Sequence, residues 1–428
     1  MTKTTKVELM APAGSYESLA AAIKAGADSV YFGIEQLNMR ARSTNNFTID
    51  DLSEIHEICS KYKVKTYLTL NTILYDHDIS LMKKIIVAVK QSKIDAVIAS
   101  DYAVFNQAKK EGVKIHISTQ ANVSNIDSVE FFAQFSDVVV LARELTLKQV
   151  ESIVKEIKRR NIRGVSGELM RVEIFAHGAL CMAVSGKCYL SLHSNYASAN
   201  RGACVQNCRK SYVVTDKEDG VEFEIDNEYI MSAKDLCTID FLDKVIDTGV
   251  KVLKIEGRGR SADYVYTTIQ CYREAIDSIA DGTYSQEKVT GWKERLSTVF
   301  NRGFWDGYYL GKTIGEWNNE YGSKATKKKI YIAKGLKYYE DAKVGEFKME
   351  SHSINLGDEV MVIGPTTGVI QTFVDELRIN NNNTDSVKKG DVFTLPLLEK
   401  LRPSDKLYKL VRRKIMLIKL YNDKNYTS

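Results

Sequence analysis

Through the first 260 residues, short apolar runs alternate with longer stretches in which apolar positions recur at helical spacing. The apolar runs fall at 7–11, 29–33, 65–70, 96–99, 114–118, 138–142, 171–176 and 252–255. Helical patterns lie between most of them, at 16–25, 49–61 and 80–91 for example. Strands and helices in alternation imply parallel strands joined by crossover helices. Eight strands in about 250 residues is the count of a closed (β/α) barrel of the TIM type. A doubly wound open sheet is the alternative. Polar residues recurring at the C-terminal strand ends favour the barrel, whose active sites assemble there.

After residue 262 helical patterns continue to about 296. From about 325 the period changes to two, with short runs at 329–333, 346–350, 359–363, 367–372 and 391–395, and turns that include Asn380–Asn383. The expected organisation is an α/β barrel over 1–310 with a cysteine-bearing insertion at 178–232, a linker at 311–328, and a small all-β, barrel-like domain over 329–428. No internal repeat is visible.

Composition narrows the class. Apolar residues make up 44% and charged residues 27%, the balance of a folded soluble protein. No run approaches the ~20 apolar residues of a membrane span. The start, Met1 to Lys6, has no signal-peptide core, so the expectation is a cytoplasmic protein without membrane attachment. Net charge is +5, too small to establish nucleic-acid binding. Its distribution says more: Lys324, Lys327, Lys328, Lys329, Lys334 and Lys337 crowd one stretch, and Arg402, Lys406, Lys409, Arg412, Arg413 and Lys414 another. Tyr331, Tyr338, Tyr339 and Tyr408 interleave with them. These runs are either an RNA-contacting surface with stacking rings or a solvated face with ordinary sheet tyrosines.

The seven cysteines are unevenly spread, and an odd count without a secretory signal argues against a disulfide framework. Cys181, Cys188, Cys204 and Cys208 are spaced C-x6-C-x15-C-x3-C. Thiolates are soft ligands for zinc or iron–sulfur clusters. Structural zinc favours tight paired knuckles, whereas the wider first gap fits a [4Fe–4S] cube. Zinc and plain buried cysteines remain as alternatives. Cys237 is an alternate ligand, and Cys59 and Cys271, on amphipathic helices, are expected in the core.

The motif reads Glu173-Ile-Phe-Ala-His-Gly-Ala-Leu-Cys181, then Gly186-Lys-Cys188-Tyr-Leu-Ser191, then Asn200-Arg-Gly-Ala-Cys204-Val-Gln-Asn-Cys208-Arg209. It resembles the signature of the collagenase-like peptidase family U32. Glu8 to Gly14, Ala25 to Gly33, Ser118-Thr-Gln120 and Lys254-Ile-Glu-Gly-Arg258 resemble the same family, so the likeness spans roughly 7–310. The family name implies proteolysis. Several of its branches are instead iron–sulfur proteins of oxygen-independent hydroxylation, and the C-x3-C pair after Asn-Arg-Gly is similar to the branch that makes 5-hydroxyuridine at the tRNA wobble position. That resemblance implies Cys181, Cys188, Cys204 and Cys208 as cluster ligands, tRNA as partner, and prephenate, a small dicarboxylate, as co-substrate.

Other candidates come from position. Glu256, Arg258 and Arg260 end the eighth strand before a helix, which suits an anion; a surface loop with a structural Glu256–Arg pair is the alternative. Asn71, His116, Gln120, Asn122 and Arg143 fall at or near strand ends and are expected in the barrel mouth, as a polar pocket or as satisfied structural groups. Arg40 and Arg42 follow strand two and suit a phosphate or carboxylate, or plain solvent. His177 is either a proton-transfer group beside the cysteines or a backbone partner. Glu173 is a catalytic carboxylate or a buried salt bridge. With His116 and Gln120 they form the catalytic candidates. No G-x-S-x-G or H-E-x-x-H motif occurs.

Three readings follow: an iron–sulfur tRNA uridine hydroxylase, a true U32 peptidase, and a non-catalytic RNA-binding module with a structural cluster.

Overall fold

In the computed structural model, residues 7–41, 46–184, 187–212, 229–312, 315–320 and 322–413 are described. Strands β1 (Glu8–Pro12), β2 (Ser29–Phe32), β3 (Lys65–Leu70), β4 (Ala96–Ala99), β5 (Ile115–Ile117), β6 (Val138–Val140) and β7 (Arg171–Ala179) pair in parallel, each with the next. The short strand β8 (Asp235–Cys237) lies antiparallel on the end of β7, and β9 (Val252–Ile255) pairs in parallel with both β7 and β1. That double pairing closes an eight-stranded barrel of β1–β7 and β9. The expected barrel is therefore the observed one.

Alternation along the strands sorts their side chains. Met10, Tyr31, Tyr67, Ile98, Val138 and Val252 fill the barrel interior. The opposite faces pack beneath the helices, as Leu9, Val30, Leu68 and Val139 do. Cys59 and Cys271 are fully buried in this outer layer, as expected. Two short strands were not anticipated. β8 and its parallel neighbour β10 (Phe304–Trp305) extend the sheet past the end of β7. Both are too short for an alternation to show.

The C-terminal region is a separate antiparallel β structure. Its main sheet runs through β11 (Lys327–Tyr339), β12 (Val344–Met349), β14 (Glu359–Gly364), β15 (Gly368–Phe373), β16 (Arg378–Ile379), β17 (Asn382–Asn383), β19 (Val392–Pro396) and β20 (Lys406–Arg412), with β13 (Ser353–Asn355) and β18 (Ser386–Lys388) as a separate pair. The asparagine run makes a two-residue hairpin: Asn380 and Asn381 both have positive φ, 50° and 67°, and join β16 to β17.

β20 pairs with β11, bringing the two basic runs onto neighbouring strands. Three of those charges are paired in place. Lys327 meets Glu359 at 2.5 Å, Lys409 meets Asp358 at 2.6 Å, and Lys329 pairs with Asp263 of the helix Ala262–Ala280. Tyr331 and Tyr408 pack edge to face at 5.7 Å, and Tyr338 donates to the Leu397 carbonyl at 2.9 Å. Lys414 lies outside the described residues. These runs serve largely as sheet and ion-pair partners.

The two units share a contact. Met361, Ile363 and Val369 pack on Ala21 and Ala262 of the barrel helices. The segment expected as a linker is also held: Asn318 donates to Ser232 at 2.7 Å, and Trp317 bridges Ala233. Among the described residues no helix is long and apolar enough to cross a membrane.

Candidate functional site

At the C-terminal ends of the barrel strands, under the cysteine-bearing insertion, lies a cavity of about 260 Å³. Cys181, Cys188, Cys204 and Cys208 all line it, although they come from segments with no regular pairing to one another. None is in a disulfide. Burial pushes the Cys208 thiol up, against the pull of Arg209, and the neighbouring thiols of Cys181, Cys204 and Cys188 push it further. The four sulfurs thus sense one another across the cavity. Among the described residues no three His, Cys, Asp or Glu side chains converge tightly enough for a single metal ion. Four thiols lining one cavity are the soft donor set that a larger inorganic centre takes.

The remaining wall is cationic. Arg40, Arg143, Arg209, Lys254, Arg258, Arg260 and Arg302 line it, with Glu256 the one carboxylate among the described residues. Burial alone would raise the Glu256 carboxyl, but Arg40, Arg260, Arg143 and Arg258 outweigh it and hold the group below its ordinary value. Arg40 reaches Glu256 at 3.2 Å. Arg258 is buried beneath this layer, donating to Asn38 Oδ1 at 3.0 Å and Thr69 Oγ1 at 2.8 Å. Burial lowers its guanidinium to about 10. Two glycines of the strand motifs make its space: a Cβ on Gly33 would lie 2.2 Å from Arg258 Nη1, and one on Gly14 would lie 2.0 Å from the Arg258 carbonyl oxygen. Arg260 stacks on the Phe300 ring at 3.6 Å, and Arg143 lies 5.2 Å from the Phe175 ring centroid.

Of the residues singled out from sequence, Arg40, Asn71, Gln120, Arg143, Glu256, Arg258 and Arg260 line the cavity with the four cysteines. Asn71 donates to Ser118 Oγ at 3.2 Å, which fixes both at the rim. Arg42, and the hairpin-like part of the insertion at 213–228, lie outside the described residues.

Five candidates sit elsewhere. His116 was expected in the mouth, but it is the middle residue of β5 and points into the barrel, its ring 4.4 Å from that of Tyr67. It borders a second cavity, of about 590 Å³, among residues at the N-terminal strand ends such as Lys114, Arg171 and Lys251. Glu173 is wholly buried in the barrel, where Lys254 Nζ donates to it at 2.8 Å. His116 Nδ1 approaches its other oxygen at 3.7 Å, an electrostatic contact too long for a hydrogen bond. Burial opposes ionisation of Glu173, but Lys254 and His116 together keep its carboxyl below the ordinary value.

His177 is not at the strand end either. β7 runs on to Ala179, with a register shift between Phe175 and His177, and the imidazole packs among Tyr264, Tyr272 and Phe304. Burial lowers it to about 3, so it is neutral at physiological pH. Asn122 has left-handed backbone, φ 52°, and does not line the cavity. Cys237, the alternate ligand, lies buried on β8 with Tyr272 OH 3.9 Å from its sulfur, and is not among the cysteines of the cavity.

Sequence reasoning passed over Lys254, Arg209 and Arg302. Lys254 stands two residues before Glu256 on one strand face, and that spacing was the available signal. Arg209 donates to the Leu180 carbonyl at 2.7 Å, tying the last cysteine pair to the strand that carries the first. Arg302 follows a helix far along the chain, where nothing local marks it.

A model of peptidase family U32 matches residues 14–319. The chain is 57% identical over 406 residues to a collagenase of Porphyromonas gingivalis, covering 95% of this chain and 98% of that protein. It is 31% identical over 419 residues to the tRNA hydroxylation protein P1 of Bacillus subtilis, covering 95% of each. A 23S rRNA 5-hydroxycytidine synthase of Escherichia coli is 32% identical over 278 residues, 64% of this chain and 40% of that protein. With the family model and two such relatives matched along most of its length, the chain belongs to peptidase family U32.

Proposed function

We propose that the chain is an iron–sulfur RNA hydroxylase that converts the wobble uridine of tRNA to 5-hydroxyuridine. The observation that carries this reading is the meeting of four cysteine sulfurs with six arginines in one cavity at the barrel mouth. Cys181, Cys188, Cys204 and Cys208 would hold a [4Fe–4S] cluster, which when bound supplies one-electron chemistry. The rest is supplied by the chain. Arg40, Arg143 and Arg260 present guanidinium groups that bind carboxylate or phosphate in pairs of hydrogen bonds. A dicarboxylate co-substrate such as prephenate, or the RNA backbone, matches that charge. Lys254 reaches the cavity floor as a hydrogen-bond donor, with Glu173 behind it as its buried ion-pair partner. Glu256 keeps Arg40 in place.

The name of the 57% identical relative favours a second reading, peptide hydrolysis. The cavity offers that chemistry little support. Among the described residues that line it there is no histidine, and its one carboxylate is held ionised by arginines. A serine or cysteine there has no neutral base beside it.

Expression in a strain lacking its own tRNA hydroxylation protein, followed by mass spectrometry of tRNA nucleosides, tests the proposal. Restored 5-hydroxyuridine-derived nucleosides, lost again with Cys204→Ala, are expected. Unmodified tRNA together with gelatin cleavage that survives iron removal would replace it with the peptidase reading. Tight tRNA binding without base change would leave a binding module.

A further inference from the structure

The segment above the cavity exposes aromatic side chains that packing does not explain. Tyr189 and Tyr196 flank the short helix Leu190–Asn195 and are 78% and 94% exposed. Tyr196 has φ 51°, in the left-handed region that a bulky residue rarely adopts. That conformation is the helix's C-cap, with the Tyr196 N–H bonded back to the helix, and it leaves the ring almost wholly in solvent. Tyr75, 55% exposed, carries the Arg201 guanidinium 4.1 Å over its ring. The rim is tied together: Ile73 N donates to the Asn200 carbonyl at 3.1 Å, and Arg201 pairs with Asp78.

Charge decides what such a rim would hold. From 174 to 215 the sequence contains no aspartate or glutamate, while Lys187, Arg201, Arg209 and Lys210 fall within it. The helix itself leads into the cavity, since Leu190 and Ser191 line it. Exposed rings on a cationic, acid-free segment at the mouth of an arginine-lined cavity match unpaired bases with phosphates between them. A neutral peptide would use the rings and leave the charge unanswered.

We propose that Tyr189 and Tyr196 form a stacking platform that holds unpaired bases of a single-stranded RNA loop and feeds one base into the cavity. This rests on the RNA reading above and assigns the residues that recognise the loop.

Fluorescence anisotropy of the full chain with a labelled single-stranded, uridine-containing RNA octamer tests it, with a labelled gelatin peptide in parallel. Tyr189→Ala and Tyr196→Ala should each weaken RNA binding about tenfold. Tyr189→Phe and Tyr196→Phe should retain it, since the ring carries the contact. Tyr62→Ala removes an exposed tyrosine at the far end of a barrel helix and should change nothing. Unchanged thermal melts show that the variants fold. RNA binding that is strong and equal in wild type and both alanine variants would overturn the platform and leave the RNA reading standing. A wild-type chain that ignores RNA but holds the gelatin peptide through these tyrosines would overturn both.

Discussion

Lys254 Nζ lies 2.8 Å from Glu173 Oε1 inside the barrel, and the two side chains join the mouth cavity to the layer beneath it. Lys254 lines the cavity while Glu173 has no exposed surface. Of the two readings of Glu173, catalytic carboxylate or buried salt bridge, the structure shows the second, with a lysine that does reach the site. Isolated charges at this depth would be expensive, and each group makes the other tolerable.

Removing one partner should therefore cost more than removing both. Glu173→Gln or Lys254→Met is expected to destabilise the fold by about 3–5 kcal/mol, because a buried charge or polar group is left unpaired. The double variant should lose less than the sum, which guanidinium unfolding at neutral pH measures. The folded carboxyl of Glu173 is depressed, so its contribution is complete above the unfolded value of about 4.3 and is lost as pH falls through the folded value. Acid titration of stability should show that loss in wild type and a smaller one in Glu173→Gln.

His177 makes a separate prediction in a higher pH window. Its folded pKa, about 3, lies below an unfolded value near 6.5, so the unfolded chain binds the extra proton between them. Stability falls as pH drops through that range, by roughly 2 kcal/mol between pH 6.5 and 5 at 1.36 kcal/mol per unit. Urea midpoints at those two pH values should separate in wild type and draw together in His177→Phe.

Arg258 depends on absent side chains. Gly33→Ala would place a methyl 2.2 Å from Arg258 Nη1 and push the guanidinium off Asn38 and Thr69. A loss of about 1–3 kcal/mol is expected, as for other overpacked sites. Isothermal titration with a dicarboxylate should show weaker binding than wild type. Arg258→Lys keeps the charge, but its shorter side chain ends before the position of Nη1, which donates to both acceptors, so it should also melt earlier.

The barrel was legible because its strands are apolar on both faces and its helices amphipathic, and each run from 7–11 to 252–255 lies on an observed strand. The cysteines were legible from spacing, and Arg40, Gln120, Arg143 and Glu256 from their places after strands. His116 was misplaced because it is the middle residue of the run 114–118 and of β5 alike, and a mid-strand side chain facing the barrel interior does not reach the mouth. His177 was misplaced because β7 continues three residues past 176, with a register shift that turns the ring outward into aromatic packing. β20 escaped notice because its lysines and arginines hide the alternation, and pairing with β11 is a long-range property that no local window contains.

Metal content tests the central claim most directly. The chain should be purified without oxygen and assayed for iron, sulfide and zinc alongside its visible spectrum. About four irons and four sulfides per chain are expected, with a broad absorbance near ~400 nm. Cys181→Ala, Cys188→Ala, Cys204→Ala and Cys208→Ala should each lose it, and Cys59→Ala and Cys237→Ala should keep it. Stoichiometric zinc, or no metal at all under strict anaerobic handling, would contradict the account.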